Sequence, residues 1–388
     1  MSFSGGDPWE WLLSPFSRDR FLELHFRREP LLLQDRLGRY AGLFDVDDVA
    51  KMGHAASDRM RALGRLMRGR ESLPIGPGAV VGQLRTAFGQ GFTIQVNNVE
   101  EMAPALVPLQ RAFEEFIDGE AHFNLYFSPP ESRVFPPHAD HHDALVLQID
   151  GTKRWLVYEE RRELIAASLR REDPPLPELL GPPKLEVTLA PGDFLYLPLG
   201  RFHHAETSAD QSLHLTLGLY PYTAGKLLGD LLETLASSEP DFLEPISSWP
   251  PAERTTRIHR LLQILGARTD VDAAAARRRA LLVSERTMVP VGIFSAEVDV
   301  EHEDELVEMR LGSRCALTKL PDSVVLSFPE GALKAPTRAE STLEAIAKSR
   351  GPFAAKDLPP DLPVDSRILL LNRLIKAGLL VKQSSKPT

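Results

Sequence analysis

The stretch PPHADHHDALVLQIDGTKRWLVYE occupies residues 136–159, and LAPGDFLYLPLGRFHHAETS follows at residues 189–208. Both consist of strand-length apolar runs separated by Pro, Gly or Asp, a pattern typical of short β-strands. The pattern extends to both sides and predicts six strands, at residues 124–127, 144–149, 153–158, 185–189, 194–197 and 213–220. Six short strands with turn signals predict a barrel or a sandwich. The second and third strands are separated only by residues 150–152, which predicts a hairpin with Gly151 free to adopt a positive φ.

Helical segments are predicted on both sides of this β-rich region, so the chain is expected to be α+β. The predicted helices span residues 19–26, 46–68, 103–117, 227–235, 256–265, 270–283, 341–350 and 365–377. Further strands are predicted at residues 31–34, 92–96, 324–328 and 379–381, and a Pro-rich loop at 173–183. The last two helices and the final strand fit the later part of a winged-helix module. We therefore expect three domains, at residues 1–222, 223–290 and 291–388.

Composition narrows the class of protein. The chain has 388 residues, of which 43% are apolar, enough for two or three domains with well-formed cores. Cys315 is the single cysteine and cannot form an internal disulfide, and the apolar stretch at residues 9–16 is too short for a signal peptide. We therefore expect a cytoplasmic protein. No segment approaches the roughly 20 continuous apolar residues that span a bilayer.

Charge argues against nucleic acid as a partner. The formal net charge is −9, which opposes nonspecific attraction to phosphate backbones. The predicted winged helix adds little to offset this, because residues 321–388 carry ten Lys and Arg against seven Asp and Glu, a balance of +3. A regulator that binds nucleic acid through its C-terminal domain is therefore a weaker alternative than a role of that domain in protein contacts.

Seven of the eleven histidines lie between residues 122 and 214. Two of them fit one metal site together with an aspartate. His138 and Asp140 are two residues apart, so in a strand both face one cavity. His203 follows the loop after the strand at residues 194–197. Two imidazoles and one carboxylate form the ligand set of non-heme Fe(II) oxygenases, whereas structural zinc recruits thiolates that one cysteine cannot provide.

The first pair of ligands has an alternative. His141 and Asp143 form a second H-x-D. Because the pairs 138/140 and 141/143 differ by an odd step, periodicity alone does not choose between them.

The distal histidine also has a neighbour, His204. Side chains alternate along a strand, so an inward His203 places Ala205 inward as well. His204 and Glu206 are then expected to face solvent.

From about residue 124 to residue 220 the chain resembles the JmjC-type 2-oxoglutarate oxygenases, most closely their bacterial and nucleolar ribosomal-oxygenase branch. The stretches at 136–159 and 189–208 are similar to the family's ligand-bearing strand and distal-histidine segment, and RFLELHFRREPLLLQ at 20–34 resembles its N-terminal helix and strand. The helical region and winged helix repeat the family's domain order. The loop at residues 128–135 departs from the family's glycine-rich loop, which bears on the identity of the substrate.

The resemblance implies a double-stranded β-helix of the jelly-roll, or cupin, type, and it selects one metal register. The family carries a basic residue fifteen positions beyond its first metal-binding histidine. Counting from His138 gives Lys153, whereas counting from His141 gives Leu156. By resemblance, Lys153 then binds the distal carboxylate of 2-oxoglutarate, since a buried ammonium needs an anionic partner. Further polar residues match positions that line the family's co-substrate pocket: Asn124, Ser128, His214 and Thr216.

The activity implied by the resemblance uses Fe(II), 2-oxoglutarate and O2. Iron would be held by His138, Asp140 and His203, and oxidation of 2-oxoglutarate to succinate and CO2 would accompany hydroxylation of a substrate C–H bond. The implied substrate is a side chain of a protein, such as a ribosomal protein, and the helical domain at 223–290 is implied to form a homodimer.

Two other functions use the same fold. One is a cupin-fold oxygenase that acts on a peptide or a small molecule, and the other is a catalytically inactive cupin-like binding protein. Trp155, Tyr158 and Trp11 are expected in the core or at its rim.

Overall fold

A computed structural model describes residue 3 and residues 7–69, 71–133, 135–159, 177–237, 239–268, 270–286, 299–310 and 312–383. The chain forms two units, Met1–Tyr220 and Pro221–Thr388. The predicted boundary at residues 290/291 lies outside the described residues, so the division into three domains stays a prediction. Most of the predicted helices and strands are present. None of the helices in the described ranges is both long enough and apolar enough to cross a membrane.

In its described residues, the first unit combines helices, most of them near its N-terminus, with eleven strands. Its α-helices are α1 (Pro8–Leu13), α2 (Arg18–Leu24), α3 (Val46–Ala55), α4 (Ser57–Leu63), α5 (Val80–Gly89), α6 (Val107–Ile117) and α7 (Pro177–Leu180). Its strands are β1 (Leu31–Leu33), β2 (Gly64–Arg68), β3 (Glu71–Pro74), β4 (Thr93–Val96), β5 (Gly119–Ser128), β6 (Asp143–Gly151), β7 (Lys153–Val157), β8 (Leu185–Leu189), β9 (Phe194–Leu197), β10 (His203–Glu206) and β11 (Ser212–Pro221).

The strands of the first unit form two sheets. The larger has eight strands in the order β1-β9-β6-β11-β5-β4-β2-β3, and the smaller has three in the order β10-β7-β8. The six strands predicted from residue 124 onward are all present, and they are divided between the two sheets. This arrangement confirms an α+β fold built on a jelly roll.

Alternation along the strands explains how the larger sheet is buried on both faces. Leu145 and Leu147 of β6 belong to the main apolar core, together with residues of the N-terminal helices such as Trp9. Ala144 and Val146 of the same strand belong to a second apolar cluster, which also contains residues of β7 and β8 in the smaller sheet. Because side chains alternate with a period of two, one face of β6 packs on the helices and the other faces the smaller sheet.

The predicted hairpin at residues 150–152 is wrong. β6 pairs with β9 and β11, whereas β7 pairs with β8 and β10. The chain therefore turns a corner from one sheet to the other at this point. Gly151 adopts φ +60° there, and a Cβ atom on it would lie 1.8 Å from the carbonyl oxygen of Gln211. The sequence at residues 150–152 predicts a tight turn, and a tight turn is present. It connects strands of two different sheets, however, and not two paired strands of one sheet.

The single helix predicted at residues 46–68 is also wrong. α3 and α4 end before Gly64, and β2 then pairs with β3 and β4. Gly64 has a low helix propensity and leaves the helix with φ −91° and ψ 149°. A Cβ atom on it would lie 2.5 Å from the carbonyl oxygen of Met60, so the close approach at this turn depends on glycine.

The described residues of the second unit form two apolar clusters. Helices α8 (Ala224–Ala236), α9 (Pro240–Leu243), α10 (Arg254–Arg268) and α11 (Val271–Ser284) are followed by strands β12 (Val307–Met309), β13 (Ala316–Leu320), β14 (Ser323–Phe328) and β15 (Gly331–Pro336), then by α12 (Glu340–Lys348), α13 (Val364–Lys376) and β16 (Leu380–Lys382). Leu231, Leu235 and Leu265 form the core of the helical part. A larger cluster packs α12 and α13 against β14. Prediction missed several short elements of the chain: α1, α5, β3, β12, β13 and β15.

Candidate metal centre and its cavity

A cavity of about 620 Å³, including the part open to solvent, lies between the two sheets of the first unit. Its walls come from β5, β6, β7, β9, β10 and β11 and from the loop between β5 and β6. The lining residues are Asn124, Tyr126, Phe135, His138, Asp140, His142, Ala144, Val146, Lys153, Trp155, Leu197, His203, Ala205, His214 and Thr216. Polar groups therefore converge on a space whose other walls are apolar, as in most ligand sites.

His138, Asp140 and His203 meet in this cavity. Each offers one possible metal-ligating atom, and these three atoms lie within 4.8 Å of one another. Asp140 Oδ1 lies 3.7 Å from His138 Nε2, and Asp140 Oδ2 lies 3.6 Å from His203 Nε2. The two imidazole ring centroids are 4.6 Å apart. Among the residues that the structure describes, this is the cluster of His, Cys, Asp and Glu side chains with a spacing that suits a metal ion.

The main chain holds the two histidines together, although 65 positions separate them in the sequence. The amide of His138 donates to the carbonyl oxygen of His203 at 3.0 Å, and the amide of His203 donates back at 2.9 Å. Gly200 N donates to the carbonyl oxygen of Asp140 at 3.1 Å. The loop that carries the first two residues is thus paired with the segment that carries the third.

Hydrogen bonds of the Nδ1 atoms set the orientation of the His138 and His203 rings. His138 Nδ1 lies 3.0 Å from the carbonyl oxygen of Pro136, and His203 Nδ1 lies 3.0 Å from that of Arg201. A carbonyl oxygen only accepts hydrogen bonds, so Nδ1 carries the proton in each ring. The lone pair of each Nε2 is then free to bind a metal, as in metal-ligating histidines generally.

Charges in the cavity favour the metal-binding protonation state. Burial, together with the nearby imidazole of His138, lowers the pKa of His203 to about 4. Burial opposes ionisation of Asp140, but the imidazoles of His203, His142 and His138 outweigh it and lower the pKa of this carboxyl. At neutral pH His203 is therefore neutral and Asp140 ionised, and a divalent cation needs both ligands in these forms.

Asp143, the aspartate of the alternative 141/143 pair, is bound by other residues of the chain. Its side chain is fully buried, accepts a hydrogen bond from Tyr196 Oη at 2.6 Å and pairs with Arg27 Nε at 2.8 Å. His141 is exposed. The structure therefore brings the 138/140 pair, and not the 141/143 pair, to His203.

The expectation that His204 faces solvent is wrong. Its relative exposure is 6%, because Tyr158 and Arg133 cover it on the face of β10 opposite the cavity. His204 Nδ1 lies 3.1 Å from Tyr158 Oη, and Nε2 lies 3.3 Å from Arg133 Nη2. Ala205 lines the cavity, as the alternation predicts. The alternation itself was right, but the outer face of a strand can be covered by a loop that no local pattern identifies.

Lys153 is buried in the cavity wall with a relative exposure of 5%. Nζ donates a hydrogen bond to Ser128 Oγ at 3.0 Å, and Thr93 Oγ1 donates to the same oxygen at 3.0 Å. Burial lowers the pKa of Lys153 to about 7, and no carboxylate in the described ranges lies within ion-pair distance of it. An anionic ligand would supply the missing charge.

The remaining predicted residues divide into two groups. Asn124, His214 and Thr216 line the cavity. Ser128 is fully buried and touches Lys153 instead of lining the wall. Burial lowers the pKa of His214 well below its ordinary value, and the ammonium of Lys153 adds to this. The Nδ1 atom of this neutral imidazole is buried without a hydrogen-bond partner, which makes it available to a ligand.

Residues 98–227 match the family described as the JmjC domain. The chain carries a JmjC domain. Ribosomal oxygenase 1 of Rattus norvegicus is 29% identical over 293 residues, which cover 72% of this chain and 47% of that protein. Ribosomal oxygenase 1 of Homo sapiens is 31% identical over 234 residues, covering 58% of this chain and 36% of that protein. The chain thus spans less than half the length of these relatives, and its JmjC domain is related to theirs.

The fold agrees with solved structures of YcfD, a ribosomal oxygenase from Escherichia coli. The complex of YcfD with cobalt and 2-oxoglutarate superposes with a TM-score of 0.63 at 17% identity, covering 95% of this chain and 99% of that chain. The complex with cobalt and succinic acid gives a TM-score of 0.61 with the same coverage. This likeness shows that the two chains share a fold.

Sequence reasoning missed two aromatic residues of the JmjC cavity. The ring of Tyr126 stacks on His214 at 4.9 Å between centroids, with 10° between their planes. Trp155, which was expected in the core or at the rim, stacks near His203 at 5.8 Å and also contacts His214 edge-on. Tyr126 follows Asn124 by two residues on β5, so alternation from a known cavity residue was the signal that could have found it.

Proposed function

We propose that the protein is an Fe(II)- and 2-oxoglutarate-dependent oxygenase that hydroxylates a side chain of another protein. The observation that carries this proposal is the coexistence, in one cavity, of the His138, Asp140 and His203 cluster with a buried ammonium that lacks an anionic partner. The cluster supplies the two imidazoles and one carboxylate that suit Fe(II), and it leaves coordination positions for other ligands. Lys153 supplies a positive charge that can pair with one carboxylate of a dicarboxylate.

The donor set fits the metal on grounds of its own chemistry. Both Nδ1 atoms are engaged by carbonyl oxygens, so both Nε2 atoms are oriented toward Asp140. Iron bound there with 2-oxoglutarate would supply O2 activation coupled to decarboxylation. The chain itself holds the ligands in place, binds the co-substrate and keeps water out with apolar walls at Ala144, Val146 and Leu197.

The second carboxylate of 2-oxoglutarate is assigned to Lys153. A carboxylate next to Nζ would restore the charged state that burial opposes, and the hydrogen bond to Ser128 orients the ammonium. Asn124, His214 and Thr216 line the same space and are assigned to the rest of the co-substrate. An inactive cupin-like binding protein would have no need for both the complete ligand set and this lysine.

A protein substrate agrees with the loop before the metal-binding pair and with the charge of the chain. Residues 128–135 form that loop, of which Val134 lies outside the described residues, and they include Pro129, Pro130, Glu131 and Arg133. Such a rim suits an extended peptide more than a small buried metabolite. A net charge of −9 favours encounter with a basic partner, and ribosomal proteins are strongly basic. We therefore propose a ribosomal protein as the substrate.

We also propose a cytoplasmic homodimer with a C-terminal winged helix. Exposed leucines on α8 and α10, with Ile258 on α10, support dimerisation through the helical region. The order of α12, α13 and β16, with an apolar core between the helices, supports the winged helix. A single cysteine that has no partner in the chain agrees with a reducing compartment.

Replacing any one of the three ligands tests the proposed activity. Alanine at His138, Asp140 or His203 should abolish succinate formation from 2-oxoglutarate, because two protein ligands no longer hold the metal in place. His141→Ala, an exposed neighbour, is the matched control and should retain most of the activity. Full activity in the Asp140→Ala variant would contradict the proposal. If His141→Ala and Asp143→Ala lost activity while His138→Ala and Asp140→Ala kept it, the metal would be bound by the 141/143 pair instead.

The substrate is tested separately by intact mass. Ribosomal proteins from cells with and without this chain are compared, and one of them should gain the mass of one oxygen atom only when the active chain is present. Cells that express the Asp140→Ala variant serve as the control. If succinate forms in vitro but no ribosomal protein changes in mass, the proposed substrate is wrong while the proposed chemistry stands.

A further inference from the structure

Three consecutive residues of the N-terminal region contact both segments that carry the candidate metal ligands. These are Arg27, Arg28 and Glu29, called the 27–29 segment below. They follow α2 and precede β1, far in sequence from the cavity, and none of them lines it. We propose that the 27–29 segment is a positioning element that fixes the spacing between the His138–Asp140 segment and His203, and that Arg27 is its decisive residue. This inference rests on the proposed metal site.

The first contact is with the start of β6. Asp143 lies three residues after Asp140, and its fully buried carboxylate pairs through Oδ2 with Arg27 Nε at 2.8 Å. Its Oδ1 atom accepts a hydrogen bond from Tyr196 Oη at 2.6 Å, and Tyr196 Oη in turn accepts one from Arg27 N at 2.8 Å. Arg27 thus holds the carboxylate with its side chain and the phenol with its main chain.

The same carboxylate reaches the segment after β9. The amide of Leu199 donates to Asp143 Oδ1 at 3.3 Å. The residue after Leu199 is Gly200, whose amide donates to the carbonyl oxygen of Asp140. The two segments are therefore joined at Asp140 itself and again at Asp143.

The second contact is with the segment that leads to His203. Arg201 is 3% exposed, and its Nη2 atom donates to the carbonyl oxygen of Arg28 at 2.9 Å and to Glu29 Oε2 at 3.2 Å. The carbonyl oxygen of Arg201 accepts the hydrogen bond from His203 Nδ1 that orients the ring. Arg201 alone therefore links the 27–29 segment to the imidazole of His203 by hydrogen bonds.

The backbone of Arg27 supports the same conclusion. Its φ is +59°, a left-handed conformation that a non-glycine residue adopts at an energetic cost. This conformation persists where surrounding contacts over-determine it, and such positions cluster near functional sites. Here the contacts are those to Asp143 and Tyr196.

Loss of the Arg27 side chain leaves the charge of Asp143 buried without a cation, with only the phenol of Tyr196 and the amide of Leu199 as donors. The start of β6 and the segment after β9 would then relax independently, and metal binding is sensitive because ligand distances must stay within about 0.2 Å of their preferred values. The Arg27 side chain is itself about one-third exposed and belongs to no apolar cluster of the described chain, so the core does not depend on it. Arg27→Gln should therefore weaken metal binding in the folded protein, in addition to the stability lost when the buried Asp143 carboxylate has no cation.

Cobalt(II) titration of the purified full chain, followed by visible absorption, tests the proposal. Arg27→Gln should weaken Co(II) binding by about 10- to 100-fold, the range for groups that orient metal ligands. Arg27→Lys should recover part of the loss, because an ammonium can still pair with Asp143. Arg28→Ala is the matched control, since the Arg28 side chain donates to the carbonyl oxygen of Glu23 and only its main-chain carbonyl contacts Arg201. It should bind Co(II) like the wild type.

Melting temperatures without metal separate positioning from general stability. Arg27→Gln should melt at a lower temperature than Arg28→Ala, because its Asp143 carboxylate stays buried without a cation, but it should be folded at the temperature of the titration. If Arg27→Gln does not fold, Tyr196→Phe removes the shared phenol oxygen without a change of charge and should weaken Co(II) binding in the same direction. Equal Co(II) affinity in folded Arg27→Gln and Arg28→Ala overturns the proposal, while a wild-type chain that binds no Co(II) overturns the proposed metal site as well.

Discussion

Lys153 combines two properties that conflict in the absence of a ligand. It is an amine that is ordinarily charged at neutral pH, and it is buried next to a hydroxyl and not next to a carboxylate. Burial lowers its pKa from 10.5 to about 7, so a bound carboxylate should raise the pKa again. Near pH 8 the free protein therefore holds a mostly neutral lysine, and the complex holds a charged one. Binding of 2-oxoglutarate should take up a proton, and affinity should fall as pH rises above about 7.

Calorimetric titration of the metal-loaded protein with 2-oxoglutarate, in buffers of different ionisation enthalpy, measures this proton uptake. Lys153→Met should abolish the uptake attributable to the lysine and weaken binding by about 30-fold or more, which corresponds to ~2 kcal/mol for a lost buried charge pair. Lys51→Met removes an exposed lysine of α3 and serves as the control. Binding that is independent of pH between 6 and 9 in the wild type would remove Lys153 from the co-substrate site.

The metal register illustrates what sequence can decide at the scale of single residues. Spacing placed two candidate pairs at 138/140 and 141/143, and strand periodicity did not separate them because they differ by an odd step. The structure distinguishes the two pairs, because Asp143 is bound by residues that are distant in sequence: it pairs with Arg27 and accepts a hydrogen bond from Tyr196. Only the comparison with a known family could identify the first pair from the sequence, because the competing contacts of Asp143 are not local.

At the scale of elements, strand positions were predictable and strand pairing was not. The six strands from residue 124 onward lie where alternating and apolar runs predicted them. Their assignment to two sheets depends on pairs such as His214 with Gln148, which are set by the closed shape of the jelly roll. The turn at residues 150–152 shows the difference, because the same Asp-Gly signal fits a hairpin and a corner. Short strands such as β3, which is exposed along its whole length, have no apolar pattern to reveal them.

The corner at Gly151 should be intolerant of any side chain. Its φ of +60° disfavours other residues, and a Cβ atom would overlap the main chain of Gln211. Gly151→Ala should lower the free energy of unfolding by about 2 kcal/mol or more, measured by urea denaturation, since strain and overlap act together.

Gly38→Ala is the control for this variant. Gly38 also has a positive φ, of +80°, but nothing lies within 4 Å of the position of its missing Cβ. Gly38→Ala should lower the free energy of unfolding by only about 1 kcal/mol, the cost of the left-handed backbone conformation for a residue with a Cβ atom. Equal losses of stability in the two variants would mean that the corner has room to relax and that close approach does not fix the geometry there.

At the scale of the whole molecule, the helical region leaves apolar side chains exposed in a regular pattern. Leu228 and Leu232 lie four residues apart on α8, and Ile258 and Leu262 lie four apart on α10, with exposures of 41% to 56%. Residues at this spacing share one face of a helix. Single exposed leucines are ordinary, whereas two such stripes within one helical region favour the proposed dimer contact. The proposed homodimer would cover both.

Leu262→Glu should therefore shift the protein from dimer to monomer at micromolar concentration, as measured by light scattering coupled to size exclusion. A carboxylate in the middle of an apolar interface loses its hydration without gaining a partner, which costs several kcal/mol per subunit and acts on both copies of a symmetric contact. Gln263→Glu places the same charge on the next residue of α10, about 100° around the helix, and should leave the dimer intact. If the wild-type chain is monomeric under these conditions, the two stripes serve some other contact and the proposed dimer is wrong. Because the JmjC domain has its own core and its own cavity, succinate formation by Leu262→Glu should stay near that of the wild type, which separates assembly from catalysis.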